Sequence, residues 1–283
     1  MRKDSLTIVR CSHCDMKYLE DSAVIAPDYY QTEADKFYVS DDKVRGDYAP
    51  HRYDREINAL DQYCSGGRVL DIGCSTGGFL HQVRLRFDRR YDLFGTDVAP
   101  SATAIAQEHG VKIIPANFLS DGFPEHDFQA ITFWAVLEHL LSPSVYLRKA
   151  CELLTPGGLV FVVVPNVQSF ALRILGARYR YVMAEHVNYF SAAALAQLFA
   201  SNFEPVRITT SHFNPIVIAQ DFFRRSAPKP SERARLLNQT NAMKSNTLLK
   251  PLYGCYRVSE AILARTGLAD NVLAVFQKRL IAI

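Results

Sequence analysis

A glycine-rich turn carries the first chemical signal in the chain, in the run Val69-Leu-Asp-Ile-Gly-Cys-Ser-Thr-Gly-Gly-Phe-Leu80. Gly73, Gly77 and Gly78 let the backbone bend tightly and approach a ligand with no Cβ between them. The apolar residues before the turn suit a strand buried on both faces. Phe79, Leu80 and Val83 after it begin a helical stripe. Strand, glycine turn and helix in that order form a nucleotide-type binding device. The spacing G-x-x-x-G-G is not the G-x-G-x-x-G of dinucleotide sites, so a single nucleoside is the better fit. Asp97 strengthens that reading. It ends the next predicted strand, where a carboxylate accepts both hydroxyls of a ribose. Asp also caps helices, and a helix is expected from about Ser101. Two histidines stand further along. His139 follows the predicted fourth strand, at the sheet edge where ligands bind in open α/β folds. There it would serve as a general base for a hydroxyl nucleophile, or as a structural histidine bonded to a loop carbonyl.

These groups need a scaffold. From Arg68 onward, strand and helix patterns alternate, which implies a parallel sheet with helices on both faces. Strands are expected at 68–72, 91–96, 111–115, 128–134, 158–164, about 205–212 and 271–280. The expected fold class is α/β, with a Rossmann-like, seven-stranded, mostly parallel sheet and an antiparallel last strand. Residues 1–35 read as an N-terminal segment around Cys11-Ser-His-Cys14. Residues 36–220 read as the nucleoside-binding core, 221–265 as a basic helical insertion or lid, and 266–283 as the final strand. The 283 residues suffice for one large domain with an appendage.

The turn, with Asp71 before it, resembles motif I of the class I S-adenosylmethionine (SAM) methyltransferases, D/E-x-G-x-G-x-G. Asp71, Gly73 and Gly77 match, and Ser75 replaces the middle glycine. The resemblance implies SAM as cofactor, with the methionine end close to Ser75 and the ribose on Asp97. It also implies Asn117 and Phe118 beside the adenine, although Asn117 equally suits a plain turn. Trp134-Ala-Val-Leu-Glu-His139 resembles the D-V-L-E-H segment of the ubiquinone-type small-molecule enzymes, with Ala135 where an acid is usual. That leaves Trp134 to line the pocket. Glu185-His-Val-Asn-Tyr-Phe-Ser191 resembles a segment of a subfamily frequent in polysaccharide and natural-product pathways. The resemblance implies that Glu185, His186 and Tyr189 lie over the methyl-donor end. Ser191 is at the same time a helix cap stapled by Phe190. His139 and His186 are thus the candidate catalytic residues.

The same subfamily often begins with a zinc ribbon of two C-x-x-C pairs. Cys11, His13 and Cys14 supply three ligands where a structural zinc needs four, so no metal is expected. Six scattered cysteines read as reduced thiols. With no apolar leader at the N-terminus, a cytoplasmic location is expected. No apolar run is long enough for a membrane span. A net charge of +3 gives no reason to expect a nucleic-acid partner. The Asn/Asp-Pro-Pro-aromatic motif of base-modifying enzymes is also missing. Residues 221–260 hold eight basic residues against three acidic ones, which fits an acidic acceptor or a solvated helical face. The expected function is methyl transfer from SAM to a small-molecule acceptor: a sugar, nucleotide-linked sugar, quinone or natural-product intermediate. A SAM-binding protein without catalysis is the alternative.

Overall fold

The computed structural model describes residues 1–3, 6–14, 16–21, 28–32, 38–223 and 250–280. The strands are β1 (Arg2–Lys3), β2 (Leu6–Arg10), β3 (Lys17–Leu19), β4 (Gly67–Ile72), β5 (Tyr91–Thr96) and β6 (Lys112–Ile113). They continue with β7 (Phe128–Trp134), β8 (Leu154–Pro165), β9 (Asn188–Tyr189), β10 (Phe203–Ser211) and β11 (Asn271–Lys278). The helices are α1 (Asp41–Asp47), α2 (Asp54–Tyr63), α3 (Gly78–Phe87), α4 (Pro100–Glu108) and α5 (Pro143–Leu153). After these come α6 (Phe170–Leu175), α7 (Ala192–Phe199), α8 (Pro215–Phe223) and α9 (Lys250–Arg265).

Seven strands form one sheet in the order β10-β11-β8-β7-β4-β5-β6. β4 runs parallel to both β5 and β7, and β8 parallel to β7. β11 inserts antiparallel between β8 and β10. The expected sheet is therefore present, with the last strand as its antiparallel member. The chain grows outward from β4 to β6, then returns to the other side of β4 with β7. Ligands of open α/β sheets bind at the carboxyl ends of the strands beside such a reversal.

Alternating strand residues fill two apolar layers. Leu70, Ile72, Ile131, Phe133, Val160 and Val162 face one layer, closed by α5 and α7. Phe199 of α7 stacks on Phe276 of β11 with ring centroids 3.9 Å apart. Val69, Ala130, Phe161 and Val163 face the other layer, against Ile57 and Leu60 of α2 and Phe79, Leu80 and Val83 of α3. The third expected strand, 111–115, shortens to two residues because β6 is an edge strand and Pro115 cannot donate to a ladder.

The N-terminal hairpin β2–β3 belongs to a second, antiparallel sheet completed by β9. Lys17 pairs with Tyr189 and Tyr18 with Asn188. Leu6, Ile8 and Leu19 bury themselves against Val182, Val187 and Tyr189. The hairpin is thus packed on the stretch that carries His186.

Of the expected basic insertion or lid, residues 224–249 lie outside the described residues. Its first anchor is described. Arg180, 8% exposed, donates from its backbone N–H and from Nε and Nη2 to Asp221, at 2.7–3.1 Å. Asp221 lies in the last turn of α8 and is 2% exposed. Removing one partner of such a pair strands a buried charge and typically costs about 3–5 kcal/mol. Asp221→Ala should therefore lower the unfolding free energy by about 3 kcal/mol in a denaturant titration. A loss below about 1 kcal/mol would mean that Arg180 finds water or another partner.

Candidate functional site

The turn after β4 is held by the end of β5. The N–H groups of Gly73 and Cys74 both donate to the Thr96 carbonyl, at 2.8 and 3.1 Å. The Ser75 N–H donates to Asp97 Oδ2 at 2.7 Å. Gly73 has φ +70°, and a Cβ there would stand 2.6 Å from Val136 Cγ2. Gly77 has φ +78° and caps α3, and its Cβ would meet Ala106 at 2.8 Å. Both positions therefore require glycine. Ser75 also takes a left-handed conformation, φ +50°, which a non-glycine residue adopts at some cost in strain.

Helix α1 covers this turn. The Thr76 hydroxyl donates to Asp47 Oδ2 at 2.9 Å, and the Tyr48 hydroxyl donates to the Thr76 carbonyl at 2.5 Å. Asp47 is 1% exposed and is also met by Lys43 and, at 3.4 Å, by the Tyr53 hydroxyl. Asp47 and Thr76 are site residues that the sequence reading did not single out. Nothing local marks them, since their partner lies 29 residues away.

Each predicted cofactor residue can now be placed. Asp71 is the buried penultimate residue of β4, with Oδ1 accepting a 2.6 Å bond from Thr132. Asp97 spends one hydrogen bond per oxygen, Oδ1 to the Ala99 N–H at 2.9 Å and Oδ2 to Ser75. A carboxylate offers about four lone-pair positions, so acceptor capacity remains for a ribose. The helix-cap reading is met in part, because Ala99 precedes α4 directly. Trp134 ends β7 with its ring 5.3 Å from that of Phe79, and its Nε1 is buried without a partner. Ser75 Oγ is likewise buried and unpaired. Buried polar atoms are nearly always bonded, so these two mark a place for a ligand. Asn117 is exposed, and its Oδ1 caps its own turn by accepting from the Leu119 N–H at 3.0 Å. Phe118 is a core side chain, 5% exposed and packed on Phe123, Phe133 and Tyr146.

The two histidines come together. Glu138 and His139 lie in a 3-10 turn, Leu137–His139, just past β7. The His139 and His186 rings are 4.8 Å apart at 75°. His139 Nδ1 meets the Glu185 carbonyl at 2.7 Å and the Tyr30 hydroxyl at 2.8 Å. His186 Nδ1 meets the Tyr181 carbonyl at 2.9 Å. Asn188 holds both segments in register, donating to the carbonyls of Leu137 and Leu140 at 3.1 and 2.6 Å. Burial lowers the pKa of His139, keeping its imidazole neutral near pH 7. Glu138 is 1% exposed, and neither carboxylate oxygen has a hydrogen-bond partner. One atom each from Glu138, His139 and His186 fall within 4.8 Å of one another. Among the described residues this is the one group of three or more metal-ligand side chains gathered so closely. Cys11, His13 and Cys14, in the turn between β2 and β3, do not form another. Tyr38 lies within electrostatic reach of both Asp97 and Glu138, which puts turn and cluster in one neighbourhood.

Burial pushes the Asp71 carboxyl up to about 8, with the Thr132 bond opposing and the Asp97 charge reinforcing the rise. The folded chain thus holds this proton more tightly than the unfolded chain, whose ordinary value is 3.8. The resulting stabilisation is complete below about pH 4 and is lost as the pH rises through about 8. Asp71→Asn, uncharged at every pH, should flatten part of the fall in melting temperature between about pH 5 and 8. An unchanged slope would mean that Asp71 is ionised in the fold.

A family model described as a methyltransferase domain matches residues 46–208. The ubiquinone biosynthesis O-methyltransferase of Xylella fastidiosa is 30% identical over 174 residues, covering 55% of this chain and 68% of the relative. The Azorhizobium caulinodans protein of the same name is 36% identical over 124 residues, covering 40% of this chain and 47% of the relative. The chain thus spans only about half of some curated relatives it matches. The N-methyltransferase NodS of Bradyrhizobium japonicum, solved with S-adenosyl-L-homocysteine, aligns over 89% of this chain and all of its own. Its TM-score is 0.53 at 15% identity, so the likeness concerns the fold. With that family model matching more than half of the chain, the chain belongs to the methyltransferase-domain family, on the class I SAM-dependent fold.

Proposed function

We propose that the chain moves the methyl group of SAM to a hydroxyl of a small-molecule acceptor docked at the Glu138–His139–His186 edge. The observation that carries this reading is the pairing of unsatisfied buried atoms, Ser75 Oγ and Trp134 Nε1 at the turn and both Glu138 oxygens at the neighbouring edge. The ribose of SAM sits on Asp97. Val98, exposed beside it, offers an apolar face to the adenine, a role for which Phe118 is too deeply packed. The methionine carboxylate meets Arg52, whose guanidinium lies 4.9 Å over the Tyr53 ring with Nε buried and unbonded.

The SAM sulfonium already activates its methyl group, so the protein mainly aligns oxygen, methyl carbon and sulfur and keeps water out. Such alignment supplies up to about 7–11 kcal/mol of the barrier in well-ordered systems. An alcohol or phenol must also lose its proton, and the neutral His139 imidazole, with His186 beside it, is suitably placed for that. Quinone precursors and sugars both carry such hydroxyls, and the relatives named for ubiquinone biosynthesis favour the former. The basic residues of 221–260 would assist an acidic acceptor.

Two measurements test this reading. In calorimetry, S-adenosylhomocysteine should bind the wild type and bind Asp97→Ala about ten- to a hundredfold more weakly, as the loss of hydrogen bonds to a charged group implies. Equal affinities would put the ribose elsewhere. With radiolabelled SAM, hydroxylated acceptors should take up methyl while their O-blocked counterparts do not. Uptake by amine acceptors alone would overturn the assignment to oxygen.

A further inference from the structure

Asp270 is a second buried acid with an oxygen left over. It is 5% exposed, its Oδ1 has no hydrogen-bond partner, and no described lysine or arginine pairs with it. Buried carboxylates are normally paired with a cation. The arginines of neighbouring elements are already engaged, Arg180 with Asp221 and Arg55 with Glu260. The residue is also held from both sides. Its N–H donates to the His212 carbonyl, and its own carbonyl accepts from the Asn166 N–H, each at 2.8 Å. Asn166 Nδ2 adds bonds to the Gly267 and Ala269 carbonyls at 2.9 and 2.8 Å. His212 takes φ +66°, a strained backbone for a non-glycine residue, and such strain clusters at functional sites. Asp270 directly precedes β11, whose first residue pairs with Pro165 at the carboxyl end of β8. It therefore lies at the sheet edge that carries the glycine turn and His139, the edge where ligands bind. Tyr181 links these places. It feels the charges of Asp270, Arg180, Arg52 and Glu138. Its ring lies parallel to that of His186, 6.0 Å away at 16°, and edge-on to that of Tyr179 at 5.2 Å. The Tyr179 hydroxyl in turn donates to the Asp270 carboxylate.

We propose that Asp270 anchors an acceptor subsite for an ammonium group, so that the acceptor is a hydroxylated amine in its protonated form. The inference rests on the reading above that the acceptor docks at the neighbouring histidine edge. The ammonium supplies both the charge partner and the hydrogen-bond donor that Oδ1 lacks in the free protein. Tyr181, partly buried, offers its ring to the body of the molecule and adds cation–π attraction. A carboxylate or phosphate at this position is repelled by Asp270. A second hydroxyl there gains a hydrogen bond but no charge pairing. At this point of the site the charge preference is thus opposite to the one read from the basic segment 221–260. Burial pushes the free Asp270 carboxyl up to about 7, with the Asn214 backbone and the Tyr179 hydroxyl opposing and the Glu260 charge reinforcing the rise. An ammonium beside it favours the ionised form and completes the ion pair at neutral pH. With its lone pair held by the proton, the amine is not a nucleophile, which leaves the methyl group to the hydroxyl.

Three phenols of similar shape and different tail charge provide the test. Tyramine, tyrosol and 4-hydroxyphenylacetate are cationic, neutral and anionic near pH 7. Each is titrated calorimetrically into the full chain saturated with S-adenosylhomocysteine. Tyramine should bind about tenfold or more tightly than tyrosol, as a hydrogen bond between charged groups implies, and 4-hydroxyphenylacetate should bind most weakly. Asp270→Asn, which keeps the shape and loses the charge, should bring tyramine level with tyrosol. Its affinity for S-adenosylhomocysteine should stay within about threefold of wild type, since Asp270 does not belong to the nucleoside end of the site. If Asp270→Asn fails to fold, the charge series in the wild type decides alone. Equal binding of tyramine and tyrosol by the wild type overturns the proposal. So does a tyramine preference that survives in folded Asp270→Asn, or the lack of any tyramine binding by a chain that still binds S-adenosylhomocysteine. Failure to bind S-adenosylhomocysteine at all would instead sink the methyl-donor reading of the site.

Discussion

The clasp between the ends of β4 and β5 is the constraint on which the site depends. Two N–H groups of the glycine turn share the Thr96 carbonyl, and a third is held by Asp97. These bonds satisfy a backbone that has left the sheet and has not yet entered α3. Ser75 Oγ in this turn and the Trp134 Nε1 at the end of β7 are both buried without a hydrogen-bond partner. Asp97 therefore clamps the turn, and in the proposed function it also accepts from the ribose. The two roles are compatible because each oxygen keeps acceptor capacity after its backbone bond.

Around that clasp the protein builds closure from the N-terminal side. Asp47, Tyr48 and Tyr53 reach the turn from α1 and the start of α2. Tyr29 and Tyr30 reach the opposite edge, meeting Glu185 and His139. The β2–β3 hairpin backs the His186 segment through β9. Residues ahead of the sheet in sequence thus support both the glycine turn and the histidine edge proposed for the acceptor. Positions held this tightly reduce the freedom that catalysis would otherwise have to overcome.

Much of this was legible in the sequence because it was local. The glycine turn, the acid following β5 and the apolar strands were read from short runs, and each expected strand overlaps an observed one, the third being the one much shortened. Ser191 does cap α7, accepting from the Ala194 N–H at 3.1 Å. What escaped was long-range or side-specific. Asp47 and Thr76 meet across 29 residues, and Arg180 and Asp221 across 41. Phe118 follows a polar turn residue, but no local pattern tells which way its ring faces. The gathering of Glu138 with two histidines depends on how a loop folds back beside a 3-10 turn, and periodicity does not encode that.

The central claim is that the clasped turn and the neighbouring cluster are two ends of one site. A crystal structure of the full chain with S-adenosylhomocysteine tests it most directly. The account predicts ribose hydroxyls on the Asp97 carboxylate, with the sulfur beside Ser75 and Trp134 and facing the Glu138–His139–His186 edge. Ribose bonded elsewhere, or a sulfur turned away from that edge, would contradict it.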